Sequence, residues 1–465
     1  MINKIKLIAD DYPHKIAYVI NNEKITYRQL WNLAEEKSIL LKKQGTEAVL
    51  IYGHKEINMI VSILACIIAR RAYIPIEYNL PRNRIRQIIM QSHASLLLKN
   101  KEISFDEIPC HTLDQLTQYE NYPILESNNS IAYIMFTSGT TGKPKGVPIT
   151  RDNLANFIYW ISSLSPLSNF KNIKVLNQAN FSFDLSIADM FYALCNGHTL
   201  VAIDDSTKND YPKLFNVIKE NEINLFVSTP SFIKLCLLNE EFNYENYPFI
   251  QCYYLCGEQL EPKTVKKIWK HFPKIDIINA YGPTEATSAV SGVLITEDML
   301  NDTILPVGAV NNFATIIEID EEEIVLKGKS VFPGYLNNGK EKSNLKDYYH
   351  TGDIGVIKEG LLYCIGRKDN QIKFKGYRIE LNEIEYHLNN VKGVIDAKVV
   401  AIYDDEIVKM IKAYVILKWD ISEMDLKLAL SEQLPKYMIP SMIKKVEQFP
   451  ITANDKIDWM ELRKL

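Results

Sequence analysis

Ile131-AYIMFTSGTTGKPKG146 is the stretch on which the reading of this chain turns. The apolar run Ile131–Phe136 reads as a buried strand, and the chemistry changes at once after it. Gly139, Gly142 and Gly146 let the backbone turn sharply and approach a ligand. The hydroxyls of Thr137, Ser138, Thr140 and Thr141, with the loop amides, can donate to phosphate oxygens, and Lys143 and Lys145 supply positive charge. On physical grounds this is a phosphate cradle. It is not a P-loop, because the G-x-x-x-x-G-K-[ST] spacing is absent.

Outward from this loop, short apolar runs alternate with longer amphipathic ones. Ala48–Tyr52, Ala94–Leu98, Lys174–Asn177, Thr199–Ile203, Leu225–Ser228, Gln251–Leu255 and Asp276–Asn279 read as strands. Glu56–Ala69, Leu185–Leu194, Tyr211–Glu220, Ser231–Leu238 and Pro262–His271 read as helices between them. That alternation predicts an α/β fold with parallel sheets covered by helices. Beyond Tyr281 the texture becomes β-rich, with short strands at Ile316–Ile319, Glu323–Lys327, Ile354–Lys358 and Leu361–Ile365. From Asp369 an α+β unit begins, with helices at Leu381–Asn389 and Glu423–Leu434 and strands at Lys398–Ile402 and Ile411–Leu417. The expected organisation is a large N-terminal domain, 1–368, containing the parallel sheets and the β-rich subdomain, followed by a small mobile C-terminal domain, 369–465.

Composition narrows the function. Of 465 residues, 53 are Lys or Arg and 57 Asp or Glu, a net charge of −4 that lacks the basic footprint of a nucleic-acid binder. Hydrophobic content of 47% excludes a disordered tail protein. The longest apolar stretch, Met59–Ala69, is shorter than a membrane span of about 20 residues. The amino terminus has no signal-peptide core, and seven scattered cysteines do not make a disulfide framework. A cytoplasmic enzyme is the expectation.

The loop resembles the phosphate-loop signature of the adenylate-forming enzymes: acyl-CoA synthetases, luciferases and the adenylation domains of nonribosomal peptide synthetases. Ile25-TYRQLWNLA, Ala72-YIPIE, Asn279-AYGPTEAT, Tyr349-HTGDIG, Gly366-RKDNQIKFKGYRIELNEIE, Leu434-PKYMIP and Pro450-ITANDKID are similar to that family's further motifs, in its order. The resemblance implies two half-reactions: a carboxylate attacks the α-phosphate of ATP to give an acyl-adenylate, and a thiol then displaces AMP. It implies that Lys456 is the catalytic lysine, able to bridge carboxylate and phosphate as charge builds. It gives Glu285 the role of holding Mg²⁺ against the phosphates. ATP contacts are implied for the glycine-rich loop and for Asn279, Ala280, Tyr281, Gly282 and Thr284, with the Tyr281 ring on adenine. Asp353 and Arg367 are implied for the ribose.

The substrate class rests on Phe183-Asp-Leu-Ser186. In amino-acid-activating members an aspartate at this place pairs with the substrate ammonium. The resemblance gives that role to Asp184, whose carboxylate in an apolar wall needs a partner. The bland alternative for Asp184 is a helix cap. Tyr52-GHKEINMIVS, Leu176-NQANFSFDLSIADM, Ser228-TPSF, Leu255-CGEQL and Phe272-PKIDIINAYGPTEAT resemble the branch of D-alanine–D-alanyl carrier protein ligases. Cys256 falls where that branch carries a cysteine beside the α-carbon. Leu185, Ala188, Ser228 and Tyr254 are the next implied pocket positions, with Ala280, Ser288 and Ala289 completing the set. Small residues with one bulky Tyr254 suit a small amino acid. Tyr254, Ala188 and Ser288 depart from the apolar residues expected of that branch, so L-alanine, glycine or serine stands as the alternative to D-alanine.

Asp369 matches the family hinge, about which the small domain would swing to exchange Lys456 for the Phe374-KGYRIE loop. The acyl acceptor is expected to be a phosphopantetheine thiol on a carrier protein. With no carrier motif in the nine residues after Lys456, that carrier is expected in trans.

Overall fold

The computed structural model describes residues 2–125, 130–139, 142–273, 275–310, 315–337, 340–341, 348–369, 371–404, 407–450 and 457–465. The chain divides into two compact units. The first comprises Met1–Tyr78, Ile89–Met135 and Gly146–Lys368; the second comprises Asn79–Ile88, Phe136–Lys145 and Asp369–Leu465. The sequence reading, however, leaves 79–88 and the glycine-rich loop in the large domain, and both group with the C-terminal residues instead.

In the first unit an eight-stranded sheet runs Ser291–Leu294, Asp276–Tyr281, Cys252–Leu255, Leu225–Ser228, Lys174–Asn177, Thr199–Ala202, Ile16–Ile20, Glu23–Thr26. Its inner neighbours are parallel and its two outermost pairs antiparallel. The inner strands are buried on both faces, which is why they read as continuous apolar runs rather than alternating ones. A second sheet is centred on Val49–Gly53, flanked in parallel by Tyr73–Glu77 and Leu96–Lys99. Helix Leu185–Cys195 is buried at all eleven positions, and helix Ile57–Ala69 at ten of thirteen. Both are interior helices, predominantly apolar around their circumference, with Asp189 the one buried carboxylate of the first. No helix among the described residues is long and apolar enough to cross a membrane.

Local chemistry sets the element ends. Thr26 and Gln29 form a reciprocal capping box at the start of helix Tyr27–Gln44. The helix expected at Ser231–Leu238 is Pro230–Cys236: the Thr229 side chain accepts from the Phe232 N–H, and Pro230 suits the first turn. The β-rich region forms one antiparallel sheet in the order Gly308–Ala309, Leu361–Arg367, Tyr348–Lys358, Glu323–Gly328, Thr315–Asp320.

The second unit holds the hairpin Gln371–Phe374 and Tyr377–Glu380, turned at Lys375 and Gly376, whose φ values are 53° and 83°. Two consecutive left-handed residues match the twist of a tight hairpin. Helix Leu381–Asn389 and helix Glu423–Ser431 cover a sheet of Val394–Asp404, Ile407–Leu417 and Met442–Lys445. That long hairpin outruns the expected Lys398–Ile402 and Ile411–Leu417, adding 394–397 and 403–404 on one strand and 407–410 on the other, with Ile395 and Tyr403 exposed.

Candidate active site

Asp184 stands at the head of helix Leu185–Cys195 but makes no capping bond there. Its Oδ2 instead accepts from the Thr284 hydroxyl at 2.6 Å. The cap reading of Asp184 is thereby set aside. Thr284 also ties the Gly282-Pro-Thr-Glu285 segment to the residue implied for the substrate ammonium. Leu185, Ala188, Tyr254, Cys256, Ala280 and Ala289 all belong to one buried apolar cluster. The register explains part of this: Tyr254 pairs with Ile278, so Tyr254 and Cys256, the residue just past the strand end, fall on the alternation that holds Ile278 and Ala280 on the next strand. The Cys256 N–H donates to the carbonyl of Ser228 at 3.1 Å, and Ser228 and Ser288 are buried as well. The Tyr254 hydroxyl and the Ser228 Oγ are buried with no hydrogen-bond partner among the described residues. Burial first, then the charges of Cys256 and Asp184, raise the Tyr254 phenol well above its ordinary range.

Glu285 is 1% exposed, and its Oε1 accepts from the Tyr335 hydroxyl at 2.6 Å. Desolvation, followed by the charge of Glu285, raises the Tyr335 phenol, so Tyr335 stays a donor. Sequence reasoning missed Tyr335, which lies fifty residues beyond its partner in an undistinguished loop. No cluster of three or more His, Cys, Asp or Glu forms a metal cage among the described residues. One oriented carboxylate nonetheless suits Mg²⁺, which keeps waters and takes most other ligands from phosphates.

Asp353 and Arg367 face each other across adjacent strands and form an ion pair. The second oxygen of Asp353 accepts from the Tyr281 hydroxyl at 2.6 Å. The Tyr281 ring is buried among Ala286, Val290, Ile317 and Leu326. Asn279 gives one amide hydrogen to the carbonyl of Pro306 at 2.8 Å. Gly282 packs against the backbone at Ala289.

The glycine-rich loop belongs to the second unit. The Gly139 N–H donates to Glu383 Oε2 at 3.0 Å, and Arg84 holds the other oxygen of that carboxylate. Ser138 Oγ donates to the carbonyl of Arg378 at 2.9 Å and accepts from the Glu380 N–H at 3.2 Å. These bonds are why the loop groups with C-terminal residues. A Cβ at Gly139 would lie 2.1 Å from the Lys143 carbonyl, and one at Gly142, φ +74°, would lie 2.1 Å from the Tyr386 ring. Only glycine fits either place. Lys143 is exposed and Lys145 half-buried. Thr137 ends the preceding strand, and Asp369 Oδ1 accepts from the Gln371 N–H at 3.2 Å. Thr140, Thr141 and Lys456 lie outside the described residues. Glu383 was also missed. Its signal was an acidic residue in the first turn of an amphipathic helix, which ordinarily means solvent.

Comparison with known proteins gives these groups a family. A family model described as AMP-binding enzyme matches residues 6–336, and one described as AMP-binding enzyme C-terminal domain matches residues 383–456. The chain is 36% identical over 502 residues to the D-alanine--D-alanyl carrier protein ligase of Bacillus licheniformis, covering 100% of this chain and 99% of that protein. A protein of the same name from Staphylococcus aureus strain Newman is 36% identical over 477 residues, covering 98% and 97%. Among solved structures, PA1221 is a nonribosomal peptide synthetase protein containing adenylation and PCP domains, bound to a vinylsulfonamide inhibitor. It shares 25% identity at a TM-score of 0.85, covering 100% of this chain and 84% of that one. The Vibrio cholerae adenylation domain AlmE, in complex with glycyl-adenosine-5'-phosphate, has the same fold at 22% identity and a TM-score of 0.83, covering 99% and 96%. The chain belongs to the AMP-binding enzyme family of adenylate-forming ligases, in both its large and its C-terminal regions.

Proposed function

We propose that this protein activates a small amino acid, D-alanine in the first instance, as its aminoacyl-adenylate and passes it to the phosphopantetheine thiol of a separate carrier protein. In the first step a carboxylate oxygen bonds to the α-phosphorus of ATP, the bond to the β-phosphate breaks, and pyrophosphate leaves. In the second, the thiolate sulfur bonds to the acyl carbon, the mixed-anhydride C–O bond breaks, and AMP leaves. The observation that carries this reading is Asp184, a carboxylate that makes no capping bond at the head of its helix and is oriented by the Thr284 hydroxyl. It can take the substrate ammonium in a charge-assisted hydrogen bond and reject acids that lack one.

The protein's remaining work is positioning and charge neutralisation. The amides, hydroxyls and lysines of the glycine-rich loop would take the triphosphate. Asp353, held by Arg367 and Tyr281, would accept the ribose hydroxyls. Asn279 and the Tyr281 segment would border the adenine. Lys456 would bridge carboxylate and α-phosphate. Glu285 would hold Mg²⁺, which would supply charge neutralisation on the phosphates. Asp369 would be the pivot about which 369–465 moves between the two steps. Free cysteines throughout the chain and the need for ATP fit a cytoplasmic setting.

A second reading keeps the reaction and changes the acid. Tyr254 and Ser228 bring buried hydroxyls without partners, and a buried unpaired hydroxyl is costly. A substrate with its own hydroxyl, such as serine, would satisfy them. ATP–pyrophosphate exchange over D- and L-alanine, glycine and D- and L-serine tests both readings. Exchange with D-alanine well above the others supports the first, and exchange led by serine transfers the assignment to the second. Exchange with none of them overturns the proposal.

A further inference from the structure

Lys55 follows strand Val49–Gly53 and is 1% exposed. Its ammonium donates to Asn177 Oδ1 at 2.6 Å and to the carbonyl of Ala179, and it lies 4.2 Å from the centre of the Phe181 ring. Asn177 in turn gives its amide nitrogen to both oxygens of Asp189, each at 2.9 Å. Asp189 is wholly buried on helix Leu185–Cys195. From the other side, the Tyr18 hydroxyl donates to the Lys55 carbonyl at 2.8 Å, anchoring the lysine backbone to strand Ile16–Ile20.

The cation, amide and carboxylate thus form a dry bridge across elements far apart in sequence. The bridge brackets one short segment. Asn177 ends the strand before it, Asp189 lies one helical turn beyond it, and Lys55 grips Ala179 and Phe181 within it. Asp184 is inside the bracket. Burial pushes the Lys55 ammonium down and the Asp189 carboxyl up, and each partner's charge opposes that drift. Apolar residues of the same volume would serve stability as well as two buried charged groups joined through an amide, so the use of the bridge is in fixing geometry.

We propose that the Lys55–Asn177–Asp189 bridge is a positioning device for amino-acid recognition, holding both flanks of the 178–184 turn so that Asp184 meets the substrate ammonium. The inference rests on the reading of Asp184 given above. Lys55 touches no reacting atom; it acts through the turn. Misplacement of a recognition group by about 1 Å can cost on the order of 10²-fold.

The test is steady-state ATP–pyrophosphate exchange with the full chain, D-alanine being the probe. Lys55→Met removes the ammonium and keeps the stem. It is expected to raise KM for the amino acid roughly 10- to 100-fold, while KM for ATP stays within about twofold. Phe181→Leu removes the ring beneath the ammonium and is expected to shift KM the same way by less. Equal rises in both KM values, or an unchanged amino-acid KM in Lys55→Met, would overturn the proposal. Should Lys55→Met fail to fold, an unchanged amino-acid KM in Phe181→Leu overturns it instead. Asp184→Ala separates the two layers. If it leaves the amino-acid KM untouched, the ammonium reading itself is wrong. If it raises that KM while Lys55→Met does not, only the positioning role is lost.

Discussion

Replacing Asp184 by alanine is the sharpest test of the site. Asp184 is half-buried, and its Oδ2 is oriented by the Thr284 hydroxyl at 2.6 Å. A hydrogen bond to a charged group contributes about 1.5–3 kcal/mol. At about 1.36 kcal/mol per decade, its loss should raise the amino-acid KM roughly 10- to 150-fold. In the proposed arrangement ATP would not meet this carboxylate, so KM for ATP should move by less than about threefold. Thr284→Val removes only the orienting hydroxyl and should cost about tenfold at most. Because Thr284 acts through Asp184, the double variant should be no worse than Asp184→Ala alone, a non-additivity expected of residues in one network. Pyrophosphate exchange with both substrates varied in turn gives both KM values for each of the three variants. The reasoning fails if Asp184→Ala raises both KM values alike, or if Thr284→Val keeps its full effect in the Asp184→Ala background.

Other expectations follow from the same geometry. Lys456→Ala should abolish exchange while equilibrium dialysis still shows ATP bound; normal exchange would remove the lysine from the mechanism. Tyr281→Phe deletes the donor to Asp353 and should raise KM for ATP about 3- to 10-fold, with the amino-acid KM unmoved in the same assay. Glu285→Gln should raise the Mg²⁺ concentration for half-maximal exchange, and an unshifted Mg²⁺ titration would count against its role. His198 is buried with both ring nitrogens unpartnered, and burial lowers it from 6.5 to about 4. A group lowered on folding contributes stability above its unfolded value of 6.5 that is lost as pH falls through about 4. That loss amounts to about 3 kcal/mol. His198→Phe should flatten denaturant-measured stability over that window, and an unchanged acid slope would refute the assignment.

Much of the fold was legible because the parallel strands are buried on both faces. Lys174–Asn177 and Leu225–Ser228 stand out as apolar runs, and both match the structure at each end. Helices Tyr211–Glu220 and Pro262–His271 were legible through their amphipathic period and an early proline. Strands Ile16–Ile20 and Glu23–Thr26 were not read, since a short antiparallel edge gives little periodic signal. The membership of the glycine-rich loop was invisible for another reason: it depends on bonds such as Gly139 to Glu383, 244 residues apart. At the site, Asp184, Glu285, Asp353 and Arg367 were reached through motifs. Their supports Tyr335 and Lys55 were given no role, although Lys55 lies in the quoted stretch Tyr52-GHKEINMIVS, because a tyrosine or lysine in sequence says nothing of the partners that close over it.

The contact between Glu383 and the Gly139 amide means that the loop is not an empty receptor. A carboxylate gripped by Arg84 already occupies the donor that a phosphate would use. Any anion arriving at Gly139 enters by exchange, and its apparent affinity is the difference between two anions rather than the strength of one. On the proposed reading the resident carboxylate would also act as a template, keeping the amide turned toward negative charge ahead of a nucleotide. Glu383 is thus both competitor and mould, and removing it would trade a tighter loop for a less prepared one.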